Sequence, residues 1–134
     1  TQMAKAGINK TILASLGGEA HCFMSDPDVA QEARSRGVTR AFVSMEKAAA
    51  LEKPCILAIG NAPTALLSLE QLMEEGKAAP ALIIGVPVGF VNVEISKERI
   101  IEKARAPYIV ARGRKGGSNV AAAICNALLY QIRR

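Results

Sequence analysis

Three short, continuously apolar runs divide the chain, at residues 54–60, 80–90 and 106–112. Continuous rather than alternating apolar runs are typical of strands that are buried on both faces of a parallel sheet. A fourth run, residues 19–25, alternates only loosely and predicts a strand nearer to a sheet edge. The runs therefore predict a parallel sheet with helices on both faces.

Helical segments separate these runs. Asp26 and Pro27 form a typical helix start, and the segment that follows them closes at Gly37. Further helices are predicted over residues 39–52, 61–76, 96–104 and 120–134, the last capped by Ser118 or Asn119. The chain opens with a turn-like or helical segment. Alternating strands and helices over 134 residues predict one α/β domain at residues 1–134, of the doubly wound class.

The sequence carries no signal for a membrane or an exported protein. It has no run of about 18 apolar residues, and its first residues lack the basic start and apolar core of a signal peptide. Cys22, Cys55 and Cys125 are odd in number, widely spaced and each within an apolar segment. This pattern predicts reduced thiols in a cytoplasmic protein, with neither a disulfide framework nor a zinc site.

The charge of the chain is +5, from 17 Lys and Arg against 12 Asp and Glu. Nucleic acid is a disfavoured partner, because there is no Trp, aromatic residues make up only 4%, and no basic helix is present. Many of the cations lie in the last quarter of the chain. Local clustering of this kind favours a small acidic ligand over a long polyanion.

The ligand side of an open parallel sheet is the edge where strands end and helices begin. Residues 112–119 (RGRKGGSN) occupy this position after the last apolar run. Gly116 and Gly117 allow close backbone approach, while Arg114 and Lys115 supply charge in front of a helix N-terminus. The segment predicts an anion site, although an ordinary turn with solvated cations explains it as well. It matches neither GxxxxGK[ST] nor GxGxxG, so phosphate is unsupported.

Other loops on the same edge hold weaker candidates. Asn61 and Thr64 suit either a helix start or a ligand contact. Gly89 frees the backbone beside Phe90, which either packs in the core or forms an apolar wall for a flat ligand. Arg40 follows a glycine turn and either reaches the strand ends or remains solvated. His21 is expected to be a structural histidine rather than a catalytic base, and no metal cluster or Ser-His-Asp set can be assembled.

Long motifs at these loops resemble the precorrin-8X methylmutase family, including its cobalt-precorrin-8 members. They are GNAPTAL (residues 60–66), GVPVGFV (85–91) with SKE (96–98), and GRKGGSNVAAAICNALLY (113–130). Weaker matches are AGINK (6–10), LGGE with SDP (16–27) and GVTR (37–40). The resemblance covers essentially the whole chain, in order and without large gaps.

The resemblance implies a flavodoxin-like three-layer α/β/α fold, a homodimer, and no redox or nucleotide cofactor. The implied activity is an isomerase of cobalamin biosynthesis that moves a methyl group from C-11 to C-12 of a corrin ring, with or without cobalt. Such a ring is flat, apolar and fringed with carboxylates, which suits the predicted edge. The expected substrate-binding residues are Met3, Arg40, Asn61, Thr64, Gly89, Phe90, Arg114, Lys115, Gly116, Gly117 and Ser118.

Two departures from the family pattern bear on the activity. Family members are about half as long again, and their upstream part holds a strand, expected to be central in the sheet, and the histidine implicated in protonating the substrate. We therefore assign no catalytic residue here and expect the chain alone to be inactive. In addition, Ile95 precedes Ser96 where many relatives have glutamate, and Glu94 lies one residue earlier. The alternatives are a phosphate-binding module of flavodoxin-like fold and a non-catalytic fragment or subunit of the methylmutase.

Overall fold

A computed structural model describes residues 1–51, 53–103 and 105–133. The predicted helix positions at Glu52, Ala104 and Arg134 lie outside these residues. Within them the elements, in chain order, are α1 (Gln2–Gly7), α2 (Lys10–Ser15), α3 (Pro27–Arg36), α4 (Arg40–Ala49), β1 (Ile56–Ile59), α5 (Pro63–Glu74), β2 (Leu82–Gly85), α6 (Val93–Lys103), β3 (Tyr108–Val110) and α7 (Ser118–Arg133).

The three strands form one parallel sheet in the order β1-β2-β3. Ile56 of β1 is in register with Leu82 of β2, and Ile83 of β2 with Tyr108 of β3. The parallel sheet predicted from the three continuous apolar runs is thus confirmed. Each strand is shorter than its run, because a run also includes the apolar residues that leave the ladder at either end.

Helices cover both faces of the sheet. Leu57 and Ile59 of β1 and Ile83 of β2 face one core, which α4, α5 and α6 complete. Ile84 and Val86 face the opposite core, formed with α1 and α7. Alternate residues of the strands thus pack into different layers, as the period of a strand requires. The flavodoxin-like topology and the central strand outside these residues remain predictions.

Residues 19–25 do not form a strand, and this prediction was wrong. Phe23 and Met24 instead pack against the core formed by α4 and α5, and the ammonium of Lys47 lies 4.9 Å from the centre of the Phe23 ring. A strand requires a hydrogen-bonded neighbour along its whole length. Here the loosely alternating pattern reflects two side chains that anchor an irregular segment.

Helix ends follow the local signals in most places. Pro27 lies in the first turn of α3, Gly37 ends that helix at φ +68°, and the Thr39 hydroxyl accepts from the Phe42 N–H at 3.1 Å. The predicted start of α6 at Ser96 was wrong, because the helix begins three residues earlier, at Val93. The Ser96 hydroxyl lies inside the first turn.

Cys22, Cys55 and Cys125 are free thiols. Burial raises the pKa of Cys55 and of Cys125. In the part of the chain that the structure describes, no helix is both long and apolar enough to cross a membrane.

Candidate functional site

The first two loops at the carboxyl end of the sheet run side by side. The Val86 N–H donates to the Ile59 carbonyl at 2.9 Å, and the Val88 N–H donates to the Asn61 carbonyl at 2.9 Å. The pairing of β1 with β2 therefore continues beyond both strands. Asn61 and the segment before Gly89 are held at the same edge.

The third loop, between β3 and α7, packs onto the other two. The Gly117 N–H donates to the Val86 carbonyl at 2.9 Å. A Cβ on Gly116 would lie 2.8 Å from the Val86 carbonyl carbon, and one on Gly60 would lie 3.0 Å from the Gly117 oxygen. Real Cβ atoms essentially never approach another heavy atom closer than 3.0 Å. The close approach of the two backbones thus explains why residue 116 is a glycine. We call the surface formed by residues 60–62, 86–92 and 111–118 the rim.

Phe90 is 91% exposed on the rim, so it does not pack in the core. Val91 and Ile95, which follow it in the loop and in α6, are also large and exposed. The alternative that Phe90 packs in the core was therefore wrong, and its role as an apolar wall stays a prediction. Phe90 and Val91 are consecutive, so two large apolar side chains are exposed next to each other in the chain on the rim.

The predicted cations of the rim are exposed and partly paired. Arg114 Nε lies 3.2 Å from Glu94 Oε1, and Arg112 Nε lies 3.1 Å from Glu98 Oε1. Both carboxylates belong to α6, so that helix faces the third loop. Exposed ion pairs of this kind contribute little stability. Separating Arg114 from Glu94 therefore costs little free energy.

Lys97 is a functional candidate that the sequence analysis missed. Its side chain is fully buried, and its Nζ donates to the carbonyls of Gly113 at 2.9 Å and Lys115 at 2.7 Å. Burial lowers the pKa of Lys97, and the nearby Glu94 carboxylate opposes this shift. The composition of the surrounding SKER segment is typical of a solvent-exposed helix face. A signal did exist, because Lys97 shares helical spacing with the buried Val93 and Ile100.

The start of the chain packs beside α7. Thr1 Oγ1 lies 2.7 Å from Ser118 Oγ and also accepts from the Ala4 N–H at 3.0 Å. The hydroxyl of Ser118 is thus engaged within the chain. Met3, in α1 and two residues after Thr1, is exposed. Thr64 is exposed in the first turn of α5, three residues after Asn61.

Two of the residues considered from the sequence have no described contact with the rim. Arg40 is exposed at the first position of α4, and among the described residues its guanidinium has no hydrogen bond or ion pair. His21 is exposed, with Nε2 3.3 Å from Glu19 Oε2 and its ring stacked on Phe23. Within the described ranges, no three His, Cys, Asp or Glu side chains are grouped as metal ligands.

A cavity of about 340 Å³ lies on another part of the surface, between α3 and α4. Its walls include Asp28 and Lys47, whose side chains pair with each other. Lys47 lowers the pKa of Asp28, mainly by hydrogen bonding to it. These charges are already satisfied within the chain. The rim therefore remains the stronger candidate site.

Comparison with known proteins gives a consistent result. The family model described as precorrin-8X methylmutase matches residues 1–131. A cobalt-precorrin-8 methylmutase of Salmonella typhimurium is 48% identical over 134 residues, which are 99% of this chain and 61% of the relative. A precorrin-8X methylmutase of Pseudomonas aeruginosa is 39% identical, over 95% of this chain and 61% of the relative.

The fold is also similar to that of a solved member of the same family. The crystal structure of a precorrin-8X methylmutase from Thermus thermophilus superposes with a TM-score of 0.86 at 39% identity. The superposition covers 97% of this chain and 62% of that one. The chain thus spans about three-fifths of the length of these relatives.

Proposed function

Because the chain belongs to the precorrin-8X methylmutase family, we propose that it forms the carboxylate-binding part of a corrin methylmutase. The reaction is the shift of a methyl group from C-11 to C-12 of precorrin-8X or cobalt-precorrin-8. The product is hydrogenobyrinic acid, or cobyrinic acid where the ring holds cobalt. A homodimer, drawn from the family resemblance, and a cytoplasmic location, predicted from the cysteine pattern, complete the proposal.

The observation that carries this proposal is the meeting of three loops at one rim, whose residues include exposed cations and an exposed aromatic ring. Arg114 presents a planar guanidinium that suits a carboxylate, and Lys115 adds a point charge. Phe90 offers an apolar face for a flat macrocycle. A ring that is apolar in its plane and acidic at its edge matches both features.

The contribution of the rim to such a reaction is orientation and charge. A methyl shift within one molecule needs no second substrate, so binding has to hold the ring in one geometry while a proton moves on or off it. Arg114 and Lys115 would hold the side-chain carboxylates, and Gly116 and Gly117 would let the backbone approach the ring. The proposal assigns no proton donor to this chain. His21 is not a candidate, because its described contacts are with Glu19 and Phe23.

The test is a titration of the purified protein with hydrogenobyrinic acid and, separately, with flavin mononucleotide, followed by visible spectra. We expect a spectral shift with the corrin alone. A shift with the flavin alone would support a phosphate-binding module instead. No shift with either would contradict ligand binding at the rim.

Matched variants locate the binding. We expect Arg114→Gln/Lys115→Gln to weaken corrin binding at least tenfold, because charged hydrogen bonds to the ligand are lost. Arg34→Gln/Lys53→Gln removes the same charge from exposed positions in α3 and before β1. Equal weakening by both pairs would show a general charge effect and argue against recognition by the rim.

A further inference from the structure

We propose that Lys97 is a positioning residue that sets the shape of the loop at residues 113–117 for carboxylate recognition. This inference rests on the proposed function of the rim. Lys97 lies in α6 and does not reach the ligand side itself. It acts through the two backbone carbonyls that its Nζ contacts.

The burial of Lys97 requires a specific explanation. Lysine side chains are almost never fully buried unless they are paired, because the charged group loses its hydration. Here the Nζ contacts carbonyl oxygens of the loop at 2.7 and 2.9 Å, while the stem lies between α6 and the third loop. An apolar side chain of the same length would fill this space but would leave both carbonyls unpaired. A lysine at this position is therefore explained by its hydrogen bonds to the loop and not by packing in the core.

The two carbonyls are those of Gly113 and Lys115, on either side of Arg114. Fixing both peptide groups fixes the backbone from which the Arg114 and Lys115 side chains extend. The Gly117 N–H, bonded to the Val86 carbonyl, anchors the far end of the same loop. A loop with three glycines would otherwise sample many conformations. Because Lys97 already orders the loop, less conformational entropy is lost when a ligand binds.

The first test measures how well the loop is ordered when no ligand is bound. Trypsin cleaves after exposed Arg and Lys residues, and the third loop contains such sites at residues 112, 114 and 115. We expect Lys97→Met to be cut there about tenfold faster than the wild type under conditions in which both remain folded. The control is Ile100→Ala, which removes a buried side chain from the same face of α6 but no polar group. Should Lys97→Met fail to fold, Lys97→Gln, which keeps two N–H donors on a shorter stem, takes its place.

The second test measures the affinity of the variants for hydrogenobyrinic acid. We expect Lys97→Met to weaken binding about tenfold and Ile100→Ala to leave it within twofold. Arg114→Gln should weaken corrin binding less in the Lys97→Met background than in the wild type, because loss of Lys97 has already misplaced the guanidinium. Additive effects would overturn the inference.

The outcomes separate this inference from the function on which it rests. Unchanged cleavage in Lys97→Met, or cleavage that rises equally in Ile100→Ala, overturns the positioning role. Faster cleavage with unchanged corrin affinity reduces Lys97 to a purely structural residue and also overturns it. If the wild type binds no corrin, the proposed function fails, and the cleavage comparison still decides whether Lys97 orders the loop.

Discussion

Replacing Gly116 by alanine tests the packing that builds the rim. The new Cβ would lie 2.8 Å from the carbonyl carbon of Val86 and 3.1 Å from the oxygen of Pro87. Both are backbone atoms directly after strand β2, so neither can move aside as a flexible side chain would. The third loop has to shift away, and the hydrogen bond from the Gly117 N–H to the Val86 carbonyl lengthens or breaks.

The expected loss follows from these contacts. Steric overpacking costs about 1–3 kcal/mol, and the lost backbone hydrogen bond adds about 1 kcal/mol. We therefore expect Gly116→Ala to lower the free energy of unfolding by about 2–4 kcal/mol. In urea this corresponds to a fall in the midpoint of roughly 1–2 M, measured by circular dichroism.

The matched control is Gly113→Ala, in the same loop. Gly113 has φ +79°, and a Cβ there would meet no atom within 4 Å. Only the torsional cost of a left-handed alanine, about 1–2 kcal/mol, applies. If Gly116→Ala were less destabilising than Gly113→Ala, the close packing of the third loop on β2 would be refuted.

Three further predictions concern charge, thiols and the exposed ring. The pKa of Lys97 is lowered by burial, so the folded chain releases this proton before the unfolded chain does. The free energy of unfolding of the wild type, relative to that of Lys97→Met, should therefore rise with pH between the lowered pKa and the ordinary lysine pKa of about 10.4. Urea unfolding at a series of pH values measures both, and parallel pH profiles of the two proteins would contradict the prediction. Burial raises the pKa of Cys55 and Cys125, so at pH 8 both should react with a disulfide reagent more slowly in the folded chain than in urea. Phe90→Ala should change the free energy of unfolding by less than about 0.5 kcal/mol but weaken hydrogenobyrinic acid binding severalfold, and a large loss of stability would show that the ring is packed after all.

Much of the fold could be predicted from local patterns. Continuous apolar runs indicated the three parallel strands, and Pro27 and Gly37 marked the two ends of α3. The same rule that brings the ends of parallel strands to one edge predicted that Asn61, Gly89 and Lys115 lie on one rim. Their binding role remains a prediction.

The errors arose where one pattern has two explanations. The loosely alternating residues 19–25 satisfy the period of a strand, but their apolar side chains pack on α4 and α5 without a neighbouring strand. The start of α6 at Val93 was hidden because the residues before Ser96 look like a continuation of an apolar run. For residues 19–25 the deciding contacts come from other parts of the chain. The first turn of α6 is instead closed locally, where the Ser96 N–H donates to the Asn92 carbonyl at 2.9 Å.

The sequence by itself determined the alternation of strands and helices, the edge on which the glycine-rich and cationic loops lie, and the family resemblance. These depend on periodicity and on short motifs, which each segment carries independently of the rest. Only the tertiary structure decided that Phe90 is exposed and that Lys97 is buried. Both depend on what packs against the residue, and the two carbonyls that satisfy the Lys97 ammonium lie 16 and 18 residues away along the chain.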